Sequence, residues 1–195
     1  MIATNCQFPP ATVTGVILAG GRASRMGGED KGLIVYQGKP LYQHVLARLR
    51  PQTGKMCISA NRNVAVYQQS GLPVIGDSLR DFPGPLAGML AALESIDTEW
   101  AIFSSCDTPF LPTDLVSRLW QAKQAAPAVW ARSAERDHPT LALLHVSLAE
   151  PLAAYLAKGE RKVMLFLHQA GGHGVIFDDS PNAFVNINRP EDLLL

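Results

Sequence analysis

The apolar positions of this chain fall into short continuous runs separated by stretches with helical spacing. Residues 13–19 form the first run, after a loose lead-in at residues 1–12 where Pro9 and Pro10 stand together, and a run of that length bounded by turn residues reads as a buried strand. Glycines and charges fill residues 20–32. A short apolar stretch follows at 33–36, and Pro40 opens a periodic segment reaching Arg50, as suits a proline at the first position of a helix. The alternation then repeats, with a strand at 55–59, a short helix at 63–70, a strand end at 74–75, a helix at 85–95, a strand at 100–104 and a helix at about 112–125. Strands alternating with helices at this spacing predict an α/β fold, a three-layer, doubly wound and mostly parallel sheet.

The second half is less regular. Extended segments at 128–132 and 140–145 flank the polar turn 133–137 and predict a hairpin. Helices are expected at 149–158 and 161–170, separated by Gly159, then a strand pair at 174–177 and 183–187, and a last helix at 189–195 entered through Pro190. No repeat or low-complexity segment divides the chain, and 195 residues fit one domain spanning 1–195.

Composition narrows the function. The 17 basic and 17 acidic side chains cancel, which argues against a nucleic-acid binder and for a small-molecule partner. Cys6, Cys57 and Cys106 lie far apart with no CxxC pair, against a disulfide framework or zinc site, and predict a reducing, cytoplasmic compartment. No stretch approaches the ~20 apolar residues of a membrane span.

The most informative segment is LAGGRASRMGG at Leu18 to Gly28, directly after the first strand, followed by Asp30 and Lys31. Glycines let backbone N–H groups converge on an anion, and Arg22, Arg25 and Lys31 add positive charge suited to a polyphosphate. Neither GxGxxG nor GxxxxGK[ST] is present, so this is a different nucleotide loop from the dinucleotide and P-loop types. It stands at the carboxyl end of a strand, where open α/β sheets bind ligands. Asp107 follows the strand 100–104 in the same way and can supply a carboxylate to Mg2+, which takes only one or two from protein. Cys106 beside it has no evident partner base and reads as a packed strand end.

The segment LAGGRASRMGGEDKGL resembles the signature of the molybdenum cofactor guanylyltransferases, within the nucleotidyltransferases related to those acting on sugar phosphates. The likeness runs on through GKPLYQHV, SANR, Asp77-Ser78, PGPLAGM, CDTPF, RDHPT and VNINRPEDL, and so covers nearly the whole chain. It implies a nucleotide-diphospho-sugar transferase-like fold of Rossmann type and transfer of GMP from GTP to the phosphate of Mo-molybdopterin with release of pyrophosphate. The nucleophile would already be ionised, a phosphate monoester having a second pKa of ~6, so the lack of a Ser/His/Asp or Cys/His set is what this chemistry predicts. The resemblance implies that Asp107 of the CDTP motif carries Mg2+ and that Arg25, Lys31 and Asp107 act in catalysis. It assigns Leu18, Ala19, Gly20, Gly21, Arg22, Lys31, Ser59, Asn61, Asp77 and Asp107 to GTP, and Asn186 and Asn188, alternating on a strand, to the pterin.

Two departures from the family pattern are visible: Ser59 stands where Asn is usual, and Arg189 where a small polar residue is expected. Guanine offers adjacent N–H donors that one carboxylate can accept, which assigns Asp77 to base selection. Transient contacts with other cofactor-assembly proteins and target apoenzymes are also implied, with no nucleic acid and no membrane. On the residues alone, cytidylyl transfer, transfer to a sugar phosphate and a non-catalytic nucleotide- or cofactor-binding adaptor stay open; Lys31 and Asp107 speak against the adaptor.

Overall fold

The strand Val13–Leu18 (β1) has no polar face, since Val13 and Ile17 pack on one side and Val16 on the other, and a strand covered on both faces belongs at the centre of a sheet. The computed structural model describes residues 9–19, 30–77, 84–179, 182–187 and 192. After a 3-10 turn at Lys31–Leu33, a two-residue hairpin pairs β2 (Val35–Tyr36) with β3 (Lys39–Pro40) and leads into α1 (Leu41–Leu49). Then come β4 (Lys55–Ser59), α2 (Val64–Gln68), β5 (Val74–Ile75), α3 (Pro85–Ser95), β6 (Trp100–Ser105) and α4 (Leu115–Ala122). The chain continues through β7 (Ala128–Arg132), β8 (Asp137–His145), α5 (Ala149–Ala157), α6 (Val163–Gln169) and β9 (His173–Ile176).

Seven strands form one sheet in the order β5-β4-β1-β6-β8-β7-β9. All neighbouring pairs are parallel except those made by β8, which runs against both β6 and β7. The start of β8 therefore lies on the edge where its neighbours end. Alternation along the strands separates two cores. Trp100, Ile102, Leu141 and Leu143 face the layer of α1 and α4, and Ala101, Phe103, Ala142 and Leu144 face that of α3, α5 and α6. In α4, Leu115, Val116 and Leu119 are fully buried, each worth ~1.5–3 kcal/mol of transfer free energy. The predicted three-layer, doubly wound and mostly parallel architecture is thus the one found. Among the described residues no helix is long and apolar enough to cross a membrane.

Several details differ from the sequence expectations. The β2–β3 hairpin was not anticipated, and Pro40 sits in β3 rather than inside the helix. β8 begins at Asp137, so part of the expected turn is strand. The strand expected at 183–187 is absent, because 182–184 form a turn and 185–187 make no ladder; Ala183 and Phe184 are both buried, an arrangement a strand with one covered face cannot have. Except for Asp192, the helix expected at 189–195 lies outside the described residues.

Candidate active site

From β1 the chain moves outward to β4 and β5, then crosses back to β6 on the other side of β1. The connections leaving β1 and β6 thus diverge, and the carboxyl ends of these two strands flank the crevice in which doubly wound sheets bind ligands. A hydrogen bond from Cys106 N to Leu18 O at 3.2 Å ties the two ends together. In this crevice Lys31 Nζ lies 3.2 Å from Asp107 Oδ2, while Ser105 Oγ donates to Asp107 Oδ1. Both Asp107 oxygens are thus held, and with the residue only 7% exposed, removing Lys31 would take a partner from a poorly solvated carboxylate.

Lys31 owes its position to Asp30. The buried Asp30 carboxylate accepts from Gly32 N at 3.1 Å and Tyr67 Oη at 2.7 Å on one oxygen, and from Asn63 Nδ2 at 3.0 Å on the other. It caps the 3-10 turn and pins it to the start of α2. A Cβ on Gly32 would fall 2.4 Å from Tyr67 Oη, so the close approach requires glycine here. Burial first, and then the bond to Asp30, push the Tyr67 phenol well above its ordinary pKa, which keeps it a donor. Burial, and next the charges of Asp107 and Asp30, likewise push up the Cys106 thiol, and a thiol held protonated is no nucleophile.

A second group gathers at the ends of β4 and β5. Asn61 Nδ2 donates to Asp77 Oδ2, and Asp77 N donates to Asn61 Oδ1, both at 2.7 Å. Burial raises the Asp77 carboxyl above its usual value, against a smaller lowering by Asn61. Ser59 is buried, and its carbonyl accepts from Ala19 N at 2.8 Å. A Cβ on Gly88 in the first turns of α3 would stand 2.5 Å from Ser59 Oγ, 3.4 Å from Leu18 Cδ2 and 3.5 Å from Asp77 Oδ1. Leu18, Ser59, Asp77 and Gly88 therefore converge.

The segment 185–187 closes against the other side of Asp107. Ile187 N donates to Asp107 O at 2.9 Å, and Thr108 Oγ1 donates to Asn186 Oδ1 at 3.3 Å. These bonds, rather than a strand ladder, place Asn186. At the β7–β8 turn, His138 Nε2 lies 3.1 Å from Ser133 Oγ, and its ring stacks on Phe184 at 4.4 Å between centroids. Burial, then the Arg136 charge, push the His138 pKa down to about 4, against a smaller opposing effect of Asp137.

The structure thus brings together Lys31 and Asp107, with Leu18 and Ala19 beside them, and Ser59, Asn61 and Asp77 in a neighbouring group. Gly20, Gly21, Arg22, Arg25 and Asn188 lie outside the described residues. Asn186 joins the Asp107 loop, but not as part of the expected strand, so the argument from strand alternation with Asn188 does not hold. Sequence reasoning passed over Asp30, Tyr67, Gly88 and Thr108. Only Gly88 carried a signal, since glycine in a helix interior costs ~1 kcal/mol relative to alanine and implies a close approach.

Comparison with known proteins agrees with this geometry. The model of the MobA-like NTP transferase domain matches residues 15–171. The chain is 59% identical over 182 residues to a molybdenum cofactor guanylyltransferase of Serratia proteamaculans, covering 93% of this chain and 92% of that protein. It is 54% identical over 180 residues to one from Yersinia pestis, covering 92% of each. The crystal structure of molybdopterin-guanine dinucleotide biosynthesis protein A from Archaeoglobus fulgidus superposes with a TM-score of 0.75 at 25% identity, over 93% of this chain and 95% of that one. Fold, crevice and sequence together make this chain a member of the MobA-like NTP transferase family.

Proposed function

We infer that the chain transfers GMP from GTP to the terminal phosphate of Mo-molybdopterin, forming Mo-molybdopterin guanine dinucleotide and pyrophosphate. The observation that carries this reading is the Lys31–Asp107 pair, 3.2 Å apart at the divergence of β1 and β6, in a chain of this family. An oxygen of the acceptor phosphate attacks the α-phosphorus of GTP. The bond from that phosphorus to the oxygen bridging the β-phosphate breaks, and pyrophosphate leaves with the electron pair. At neutral pH the acceptor is already an anion, its second pKa being ~6, so no protein base is required.

The protein's task is to hold two anions in line and offset their repulsion. Gly20, Gly21, Arg22 and Arg25 are assigned to the triphosphate, and Lys31 to the phosphates nearest the reacting bond. Asp107 offers a hard carboxylate oxygen beside that position, a donor that fits Mg2+ completed by phosphate oxygens and water. Bound there, Mg2+ supplies charge neutralisation and orientation. Lys31 and Asp107 would then each exchange the other for its own ligand. Leu18, Ala19 and Ser59 surround the nucleoside, and Asn61 acts on it by holding Asp77, whose oxygens accept from the two N–H donors of guanine. Asn186 and Asn188 are assigned to the pterin.

The test is mass analysis of the product formed from Mo-molybdopterin, Mg2+ and either GTP or CTP. A GMP conjugate is expected, lowered about 100-fold or more in rate by Asp107→Ala or Lys31→Ala. A CMP conjugate would overturn the choice of base, and no conjugate would leave only binding of nucleotide or cofactor.

A further inference from the structure

Strand β6 ends on two serines whose hydroxyls point to different partners. Ser104 is fully buried and donates to Ser105 O at 3.2 Å, whereas the half-buried Ser105 turns its hydroxyl to Asp107 Oδ1. An ionised carboxylate only accepts, so Ser105 is the donor in this bond. Ser105 pairs in register with Leu18, the last residue of β1, and so stands where β1 and β6 diverge.

The main chain from Ser105 to Asp107 is tied down at each residue. Ser105 O accepts from Ser104, Cys106 N donates to Leu18 O at 3.2 Å, and Asp107 O accepts from Ile187 N at 2.9 Å. The freedom left to Asp107 therefore lies in its side-chain torsions, the second of which is broad for a carboxylate. Lys31 restrains that carboxylate at Oδ2 from 3.2 Å, and Ser105 restrains it at Oδ1. The two restraints differ in kind. Lys31 is a point charge on a flexible stem, for which a triphosphate competes with Asp107. Ser105 is short, neutral and part of the strand end, so no charge draws it elsewhere. Loading the site with nucleotide takes away the first restraint and leaves the second.

We propose that Ser105 is a positioning residue for the metal-bearing carboxylate: its hydroxyl holds Asp107 Oδ1, so that Oδ2 stays aimed at the divalent cation once the triphosphate draws Lys31 away. The proposal rests on the guanylyltransferase reading, with Asp107 as the Mg2+ ligand. Mg2+ demands near-ideal octahedral geometry and takes few oxygens from protein. With one carboxylate assigned to it, a swing of that group is not made good by another protein ligand. Occupying Oδ1 also leaves a single oxygen for the ion, which suits a small octahedron otherwise filled by phosphate oxygens and water. Groups that orient a metal ligand in this way govern the affinity for the metal without touching it.

Two variants test the proposal. Ser105→Ala removes only the hydroxyl, and Ser105→Thr keeps one. Mn2+ is titrated into each protein with GTP present and its binding read by water-proton relaxation, which needs no acceptor and no turnover. Ser105→Ala should raise the Mn2+ dissociation constant by about tenfold or more, and Ser105→Thr by no more than about threefold. The affinity for GTP in EDTA should stay within about twofold in both, since Ser105 acts through the metal ligand. An unchanged Mn2+ constant in Ser105→Ala would overturn the proposal. So would an equal weakening of GTP binding with and without metal, which is what a merely structural serine would give. Failure of Mn2+ to bind the unaltered protein with GTP would remove Asp107 as a metal ligand and overturn the proposal with it. The expected serine dependence in a protein that forms no GMP conjugate would reject the guanylyltransferase reading alone.

Discussion

Asp77 illustrates how its setting prepares a single carboxylate as an acceptor. Asn61 occupies one side of it at 2.7 Å, and partial burial holds its carboxyl above the usual value, so it is a poorly solvated acceptor that gains most from a ligand offering donors. Asp77→Ala should lower the preference for GTP over ATP by about tenfold or more, as the loss of one two-point base contact would. Competition kinetics with both nucleotides would measure it, and an unaltered ratio would remove Asp77 from base selection. At this scale the sequence exposed residues that carry charge next to a strand end, namely Lys31, Asp77 and Asp107. It hid those whose role is set by a distant partner: Asp30 reads as one more loop acid until Tyr67, 37 positions on, is seen to donate to it.

The 3-10 turn Lys31–Leu33 is the element on which the lysine paired with Asp107 rides, and α2 is its support. Tyr67→Phe removes one of the donors to the buried Asp30 carboxylate without changing the packed ring. It should lower stability by about 1.5–3 kcal/mol, the usual worth of a hydrogen bond to a charged group, and reduce kcat more than the KM for GTP. Urea unfolding and steady-state kinetics together check this; unchanged values of both would mean that the turn does not depend on α2. Long elements were legible because β1, β6 and α3 carry enough residues to show their pattern. The β2–β3 hairpin was not, since two-residue strands show no alternation and its turn, Gln37-Gly38 with φ of 46° and 79°, lacks the Asn-Gly or Asp-Gly pair that marks such turns. Residues 183–187 misled for the opposite reason. Ala183, Val185 and Ile187 imitate a strand's alternation, while the backbone N–H of Ile187 is in fact taken by Asp107.

For the molecule as a whole, the doubly wound sheet followed from the order of runs, but which distant segments meet at its edge did not. His138 and the segment that carries Phe184 and Asn186 come from separate stretches and meet only in the folded chain. Their meeting should show in the dependence of stability on pH. The pKa of His138 is lowered in the fold from 6.5 to about 4, so between those values the unfolded chain binds the proton first, and stability is complete above pH 6.5 and falls as the pH drops through this window. At ~1.4 kcal/mol per pH unit the full loss is on the order of 3 kcal/mol, about 2 kcal/mol of it by pH 5. Urea unfolding of the protein and of His138→Gln at pH 7 and pH 5 should give a steeper loss for the former; parallel losses would assign the effect to other groups. The reversed direction of β8 has a wider consequence. It joins a parallel half, β5-β4-β1-β6, to a half built from a hairpin and a late strand, β8-β7-β9, with Leu18, Ser59, Asn61 and Asp77 on the first and the packed rings of His138, Phe177 and Phe184 beside the second. On the assignment of Asp77 to the nucleotide and Asn186 to the acceptor, such a seam would let the two halves diverge separately: new turns and tails on the second would redirect the enzyme to other phosphorylated acceptors while the first kept the same activated nucleotide.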